Sequence, residues 1–148
     1  MKKLNLINWF LILLLILSIA GMAGNIVAQY SSNNKITTDG LFWFRIISNL
    51  MFYMGLSYAQ RAIYLIKKEV SFTNKSNDYF NKSALFLILS SIIHSIVIFI
   101  NYTKSNSEVS FINLSFYFLV IVLALFIYAI GDIVKLGKSF QEENELTV

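Results

Sequence analysis

His94, the one histidine of the chain, lies inside an apolar stretch and has a side chain that can carry a proton or contact a ligand. Ser90 and Ser91 precede it at i−4 and i−3, so in a helix they share its face. His94 lies about eleven residues into its apolar run, or about 16 Å along a helix, which is close to the midplane of a bilayer. Polar residues at that depth mark candidate functional sites. Together with Asn49, these three residues form a candidate intramembrane polar site.

Two interpretations of His94 are open from its sequence context. In the first, the imidazole carries a proton or contacts a ligand. In the second, it is a neutral histidine that bonds to a serine or to Asn49 and holds helices together. The second is favoured, because a proton relay would need further ionisable residues at the same depth.

Catalytic and metal chemistry lack their usual residues. The chain has no cysteine, which excludes disulfides and thiolate ligands. A hydrolytic enzyme needs a nucleophile with a base, and a metal site needs several convergent ligands, but the acidic residues lie almost all in loops or the tail. Gly-rich phosphate loops and the HExxH motif are also absent. We therefore expect no enzymatic activity, no cofactor and no metal.

Four apolar runs must position the polar residues. Hydrophobic residues make up 57% of the 148 and charged residues 14%, whereas soluble domains have about 25% charged residues. A helix that crosses about 30 Å of hydrocarbon needs about 20 apolar residues. The predicted spans are approximately 6–28, 41–66, 84–102 and 111–134. They predict a single all-α domain, residues 1–148, which is an integral membrane bundle of four transmembrane helices.

The distribution of lysines predicts the direction of the spans. The N-terminus, the 67–82 loop and the 135–148 tail each contain two or more lysines, whereas segments 31–40 and 104–110 contain one each. Cytoplasmic segments of membrane proteins are enriched in Lys and Arg. Both termini and the central loop are therefore expected in the cytosol, an N-in/C-in topology. The same rule accounts for the net charge of +4 without nucleic-acid binding, for which the chain has no recognition motif.

The first run also resembles a secretory signal peptide. Lys2 and Lys3 precede it, and small residues occupy 20–24. The apolar run is long for such a peptide and continues through 26–28, so an uncleaved helix is favoured.

Three charged residues lie near the ends of predicted spans. Arg61 and Asp132 both fall near cytosolic ends, so their similar depth predicts an interhelical ion pair. Two charges near hydrocarbon are better tolerated together than alone. Arg45, near the outer end of the second span, is expected to snorkel to the headgroups. Because it contains Arg45 and Arg61, the second span is the weakest of the four predicted spans by charge.

The central loop and the tail contain candidate residues for contact with a partner. Thr73 or Ser76 is a candidate cap for a helix that runs into the third span. Acidic residues at the end of the tail oppose the helix macrodipole, so that end is expected to fray or to be held by a basic partner. The candidate contact residues are Phe72, Asn77, Phe80, Glu142, Glu143 and Glu145.

The same two segments resemble those of a bacterial family of small four-helix membrane proteins, the domain of unknown function 2975. SFTNKSNDYF (71–80) is similar to the family's "pF-t-x-x-N"-like patch, with Ser71 where a proline is common. GKSFQEENELTV (137–148) is similar to its tail, "G-x-x-L-q-e-e-n-d-L-T-V". The resemblance implies a multi-pass protein of the bacterial cytoplasmic (inner) membrane. Genes of this family often lie beside a gene for a small helix-turn-helix regulator, which implies a membrane component that binds or sequesters such a regulator.

Two functions follow from the sequence. The first is a regulatory or interaction protein of the lipid bilayer that binds a cytosolic helix-turn-helix regulator through its central loop and tail. The alternative is a small transport, resistance or immunity protein, active as a homo-oligomer, that uses a polar path around His94.

Overall fold

The computed structural model describes residues 2–31, 40–69, 73–105 and 111–146. The helices are α1 (Lys2–Ser31), α2 (Gly40–Glu69), α3 (Asn74–Ser105) and α4 (Phe111–Leu146). No strand occurs in these ranges. The predicted all-α bundle of four helices is confirmed.

Three of the helices contain stretches that are long and apolar enough to cross a membrane. Within the described residues these stretches are Leu4–Gly24 in α1, Asn74–Asn101 in α3 and Leu114–Asn144 in α4. They identify the chain as a membrane protein. The helix α2 is equally long as α1, at 30 residues, but it contains Arg45, Asn49 and Arg61 and is not among the three. Its crossing of the membrane stays a prediction.

The helices α2 and α3 both extend beyond their predicted spans into the central loop, α3 by ten residues. Much of the predicted central loop, 67–82, is helical, because α2 continues to Glu69 and α3 begins at Asn74. Thr73 is the N-cap of α3: its Oγ1 accepts a hydrogen bond from the Ser76 backbone N–H at 3.2 Å, and the Ser76 Oγ accepts one from the Thr73 N–H at 3.2 Å. This reciprocal pair satisfies two N–H groups that a helix start leaves open.

The helix α3 lies at the centre of the packing. It packs most extensively against α2 and then against α4, while α1 packs mainly against α2. Small residues permit the close approach of α2 and α3. A Cβ atom on Gly55 would lie 2.8 Å from Leu87 Cγ and 3.2 Å from the Leu87 backbone nitrogen. Close packing of small residues is the usual means by which membrane helices associate.

The outer surface of the bundle is apolar. Large hydrophobic side chains such as Phe99, Phe118 and Phe126 each expose about two thirds of their surface. A soluble protein of this size does not expose so many contiguous apolar groups. Such a surface is stable in contact with the acyl chains of lipids.

Candidate functional site

The four residues of the predicted intramembrane site line one cavity. Asn49, Ser90, Ser91 and His94 border a cavity of about 160 Å³ between the helices. The other lining residues are Ser18, Gly21, Phe52, Phe116, Tyr117 and Val120. All four helices therefore contribute to the cavity, each through about one turn. The structure brings the predicted residues together; their use as a site stays a prediction.

Reciprocal hydrogen bonds between two buried serines join α2 to α3 beside this cavity. The Ser48 Oγ donates to the carbonyl oxygen of Ser90 at 2.9 Å, and the Ser90 Oγ donates to the carbonyl oxygen of Ser48 at 2.9 Å. Both side chains are almost fully buried. The predicted site does not include Ser48. The sequence signal for it was a polar side chain within an uncharged stretch, directly before Asn49.

His94 also bonds to Ser48. Its Nδ1 contacts the Ser48 Oγ and lies 3.3 Å from the carbonyl oxygen of Ser90. A carbonyl oxygen can only accept, so the contact with Ser90 is a hydrogen bond only in the tautomer that carries the hydrogen on Nδ1. We therefore assign the hydrogen of the neutral imidazole to Nδ1, which leaves a lone pair on Nε2. This is the arrangement in which the histidine bonds to a serine and holds helices together.

The aromatic ring of Tyr117 from α4 completes the surroundings of His94. The two rings stack with their centroids 4.7 Å apart and an angle of 22° between their planes. One imidazole thus contacts α2 through a hydrogen bond and α4 through a ring face. This double contact holds the ring in a single orientation at the cavity wall.

The remaining serines around the cavity direct their hydroxyl hydrogens to their own helices. Ser18 Oγ donates to the Leu15 carbonyl at 2.9 Å, and Ser91 Oγ donates to the Leu87 carbonyl at 2.9 Å. Such bonds to a preceding turn are common for helical serines. The serine oxygens consequently offer lone pairs to the cavity and few free hydrogens.

The candidate partner residues are divided between the core and the surface. Phe80 is only 4% exposed and packs in the core, so it is not accessible to a docking protein. Its position follows from the helix, whose inner face includes Phe80, Ala84 and Leu87. Asn77 lies beside Gly131 of α4, where its Oδ1 is 3.0 Å from the place of a Cβ atom. These two residues tie α3 to α4.

The acidic residues of the tail lie on the surface of α4. Glu142 is exposed and forms an ion pair with Lys138 at 2.9 Å, and Glu143 is exposed as well. Phe72 and the side chain of Glu145 lie outside the described residues. Sequence analysis missed Phe140, an aromatic residue 62% exposed on the same part of α4. The signal was present, since Phe140 lies within the GKSFQEENELTV segment.

The predicted pair of Arg61 and Asp132 does not form. Both side chains are exposed, and the structure shows no ion pair between them. The pairs Lys82–Asp78 and Lys138–Glu142 each form within one helix. The physical reason is lateral position. The helices α2 and α4 both pack against α3 and contact each other little, so equal depth does not bring their charges together.

Further polar side chains, of which the sequence analysis singled out Asn77 alone, lie near the predicted cytosolic end. Five buried oxygen atoms there have no hydrogen-bond partner among the described residues: the Oδ1 atoms of Asn5, Asn8, Asn77 and Asn81, and the Oγ of Ser83. In the described part of the chain, no three histidine, cysteine or acidic side chains come together as metal ligands.

Comparison with known proteins adds the family. The sequence model of a family of proteins of unknown function, DUF2975, matches residues 28–148. The chain belongs to the DUF2975 family. The resemblance seen in the 71–80 and 137–148 segments is thereby confirmed, because the match includes both. It also includes α2, α3 and α4 of this DUF2975 protein, whereas nearly all of α1 precedes it. No curated protein and no solved structure matches the chain.

Proposed function

We propose that this DUF2975 protein is a regulatory or interaction protein of the bacterial inner membrane that binds a cytosolic protein at one end of its bundle. In this proposal the chain crosses the membrane four times with both termini in the cytosol. The partner is a small helix-turn-helix regulator, held at the membrane through the last turns of α4.

The observation that carries the proposal is the length and exposure of α4. Its 36 residues correspond to about 54 Å of helix, whereas the hydrocarbon core is about 30 Å thick. The helix remains formed to Leu146, and its final turns expose Phe140 and Leu136. Aromatic anchors of this kind dominate the energy of many protein interfaces. A formed helix that presents one beyond the predicted span, 111–134, is suited to docking.

Charge on the tail supports a basic partner. Glu142 and Glu143 are both exposed near Phe140. The Lys138–Glu142 pair lies at the surface, where such pairs contribute little, so Glu142 can exchange this lysine for a cation of the partner. DNA-binding domains carry the basic patch that such acids would complement. Binding at that patch would compete with DNA, which is how sequestration of a regulator would act.

In-cell photo-crosslinking tests the proposal. A photoreactive phenylalanine analogue is placed at Phe140 and, in a second variant, at Glu142. The matched control is Phe118, an aromatic residue of similar exposure, 68%, in the apolar first half of the same helix. We expect the same small DNA-binding protein at Phe140 and Glu142 and none at Phe118. Capture of only lipid, or of a second copy of this chain, at all three positions would contradict the proposal.

A transport or resistance function is the second candidate, because Asn49, Ser90, Ser91 and His94 line one cavity. A path would need polar groups in the neighbouring layers too, but the next layer toward the predicted cytosolic end contains Leu56, Leu87 and Ala124. The cavity therefore fits a binding pocket better than a conduit. If transport is the function, His94→Ala abolishes flux or protection at unchanged protein level; full activity of this variant removes the candidate.

A further inference from the structure

We propose that the His94 cavity is a binding site for a small neutral phenol or aryl alcohol, about the size of one six-membered ring. This site goes beyond the proposed function, because its chemistry involves only groups inside the bundle. It needs no cytosolic partner.

The size and the walls of the cavity fit a single ring. Its volume is about 160 Å³, and an engineered apolar cavity of about 150 Å³ in another protein holds benzene. Phe52, Phe116 and Tyr117 line it together with Val120. Aromatic side chains favour offset or edge-to-face contact with a bound ring. A flat apolar molecule therefore fills the space better than a chain or a bulky headgroup.

The polar groups of the cavity fit one hydroxyl group. His94 Nδ1 is directed to Ser48 and Ser90. With the imidazole hydrogen assigned to Nδ1, Nε2 is an acceptor. Nε2 makes no hydrogen bond to a described residue. Asn49 likewise makes none, and its amide offers both a donor and an acceptor. A hydroxyl group can donate to His94 Nε2 and accept from the Asn49 amide, which leaves both partners satisfied.

Charged ligands fit these groups poorly. A carboxylate or phosphate would bring a full negative charge into the cavity, where no described lining residue carries a positive charge. Arg45, whose charge acts on His94 and Tyr117, does not line the cavity. An ammonium group would be placed in an apolar layer with no carboxylate among the lining residues. Burial of an unpaired charge costs far more than burial of a bonded hydroxyl. The cavity therefore selects a neutral molecule.

The packing of α1 indicates how such a molecule enters. This helix packs mainly against α2 and contacts α4 little, although both line the cavity. A Cβ atom on Gly21 of α1 would meet no atom within 4 Å. The cavity is thus open between α1 and α4 at Gly21, on the side that faces the acyl chains. A phenol dissolved in the bilayer reaches it from there.

Fluorine NMR of 4-fluorophenol with the full chain in phosphatidylcholine nanodiscs tests the site, with empty nanodiscs as the reference for partitioning. We expect a saturable shift that excess phenol reverses. Gly21→Phe places a ring at the opening and should abolish the shift. Gly24→Phe is the matched control, since a Cβ there also meets no atom within 4 Å and Gly24 does not line the cavity. Equal binding by both variants, or no saturable shift with the unsubstituted chain, would overturn the site.

A second probe tests the hydroxyl contact. Fluorobenzene lacks the hydroxyl and should bind about fivefold more weakly, because a neutral hydrogen bond contributes about 1 kcal/mol. In His94→Phe the two probes should bind with similar affinity, while circular dichroism shows that the helices are kept. Equal affinity of both probes for the unsubstituted chain would overturn the assignment to a phenol or alcohol. None of these readouts involves a cytosolic protein, so failure here is distinct from failure of the proposed function.

Discussion

At the scale of single residues, the contact of Ser48 with Ser90 and His94 is the principal polar link between two helices. Both serine hydroxyls donate to carbonyls of the opposite helix, and His94 Nδ1 joins the same group. Between membrane helices such hydrogen bonds contribute about 0.6 kcal/mol on average and about 1.7 kcal/mol at most. The group therefore fixes the rotation of α2 against α3 more than it supplies stability.

Replacement of Ser48 by alanine tests this link. The change removes the donor to the Ser90 carbonyl and the oxygen that His94 contacts. Ser48→Ala should lower the free energy of unfolding by about 1 kcal/mol, measured by circular dichroism during titration with sodium dodecyl sulfate in mixed micelles. Ser57→Ala is the matched control, since Ser57 lies on the same helix without a hydrogen bond to a described residue. An equal loss in Ser57→Ala would contradict the account.

The sequence was informative about which polar residues lie at the same depth, and four of them line one cavity, but it did not show which side chains bond to each other. Polar residues stand out within uncharged runs, so His94, Ser90, Ser91 and Asn49 could be grouped by depth and helical spacing. Contact between Ser48 and Ser90 depends on how two helices are rotated about their axes, which local spacing does not determine. The same limitation explains Arg61 and Asp132, whose depth is similar but whose helices are not neighbours.

At the scale of helices, hydropathy predicted how many there are but underestimated their length. The apolar runs correspond to the part of each helix that lipid can surround. Beyond those runs the helix persists wherever its backbone groups are satisfied and no proline interrupts it; the chain contains none. The reciprocal hydrogen bonds of Thr73 and Ser76 start α3 at Asn74, well before the apolar run at residue 84. Both causes, the absence of proline and the presence of Thr73 and Ser76 at the start of α3, can be read from the residue types in the sequence.

The close approach of α2 and α3 at Gly55 gives a second prediction. A Cβ atom there would lie 3.2 Å from the Leu87 backbone nitrogen, so the helices must separate to admit it. Gly55→Ala should lower the free energy of unfolding by about 1–3 kcal/mol, the usual cost of overpacking. Gly21→Ala, where a Cβ meets no atom, should be neutral or stabilising by up to about 1 kcal/mol. The same detergent titration measures both, and similar values for the two variants would rule out the close contact.

The exposed aromatic residue of the α4 tail gives a third prediction. In the proposed complex Phe140 is the central apolar anchor, so Phe140→Ala should reduce capture of the partner from Glu142 by about tenfold or more. The measurement is the crosslinked yield at equal protein level. Phe118→Ala removes an aromatic side chain of similar exposure from the lipid-facing part of α4 and should leave the yield unchanged. A yield in Phe140→Ala equal to that of the unsubstituted chain would exclude Phe140 as the anchor.

At the scale of the whole molecule, the account depends on α2. Three helices contain a stretch that is apolar enough to cross the membrane by length and composition, and α2 is not among them. If α2 crosses as well, the start of α3 and the end of α4 lie on the same side as the N-terminus. If it does not, the two ends of the chain lie on opposite sides. With the N-terminus in the cytosol, the start of α3 and the tail would then both lie outside the cell, where a cytosolic regulator could reach neither.

The most direct test of this central claim is reaction of single cysteines with a membrane-impermeant maleimide in intact cells. The chain has no cysteine of its own, so Asn33→Cys, Asn74→Cys and Ser139→Cys each report one position. We predict that Asn33→Cys reacts in intact cells, whereas Asn74→Cys and Ser139→Cys react only after the membrane is permeabilised. Reaction of Asn33→Cys and Asn74→Cys from the same side would show that α2 does not cross, and would contradict the account.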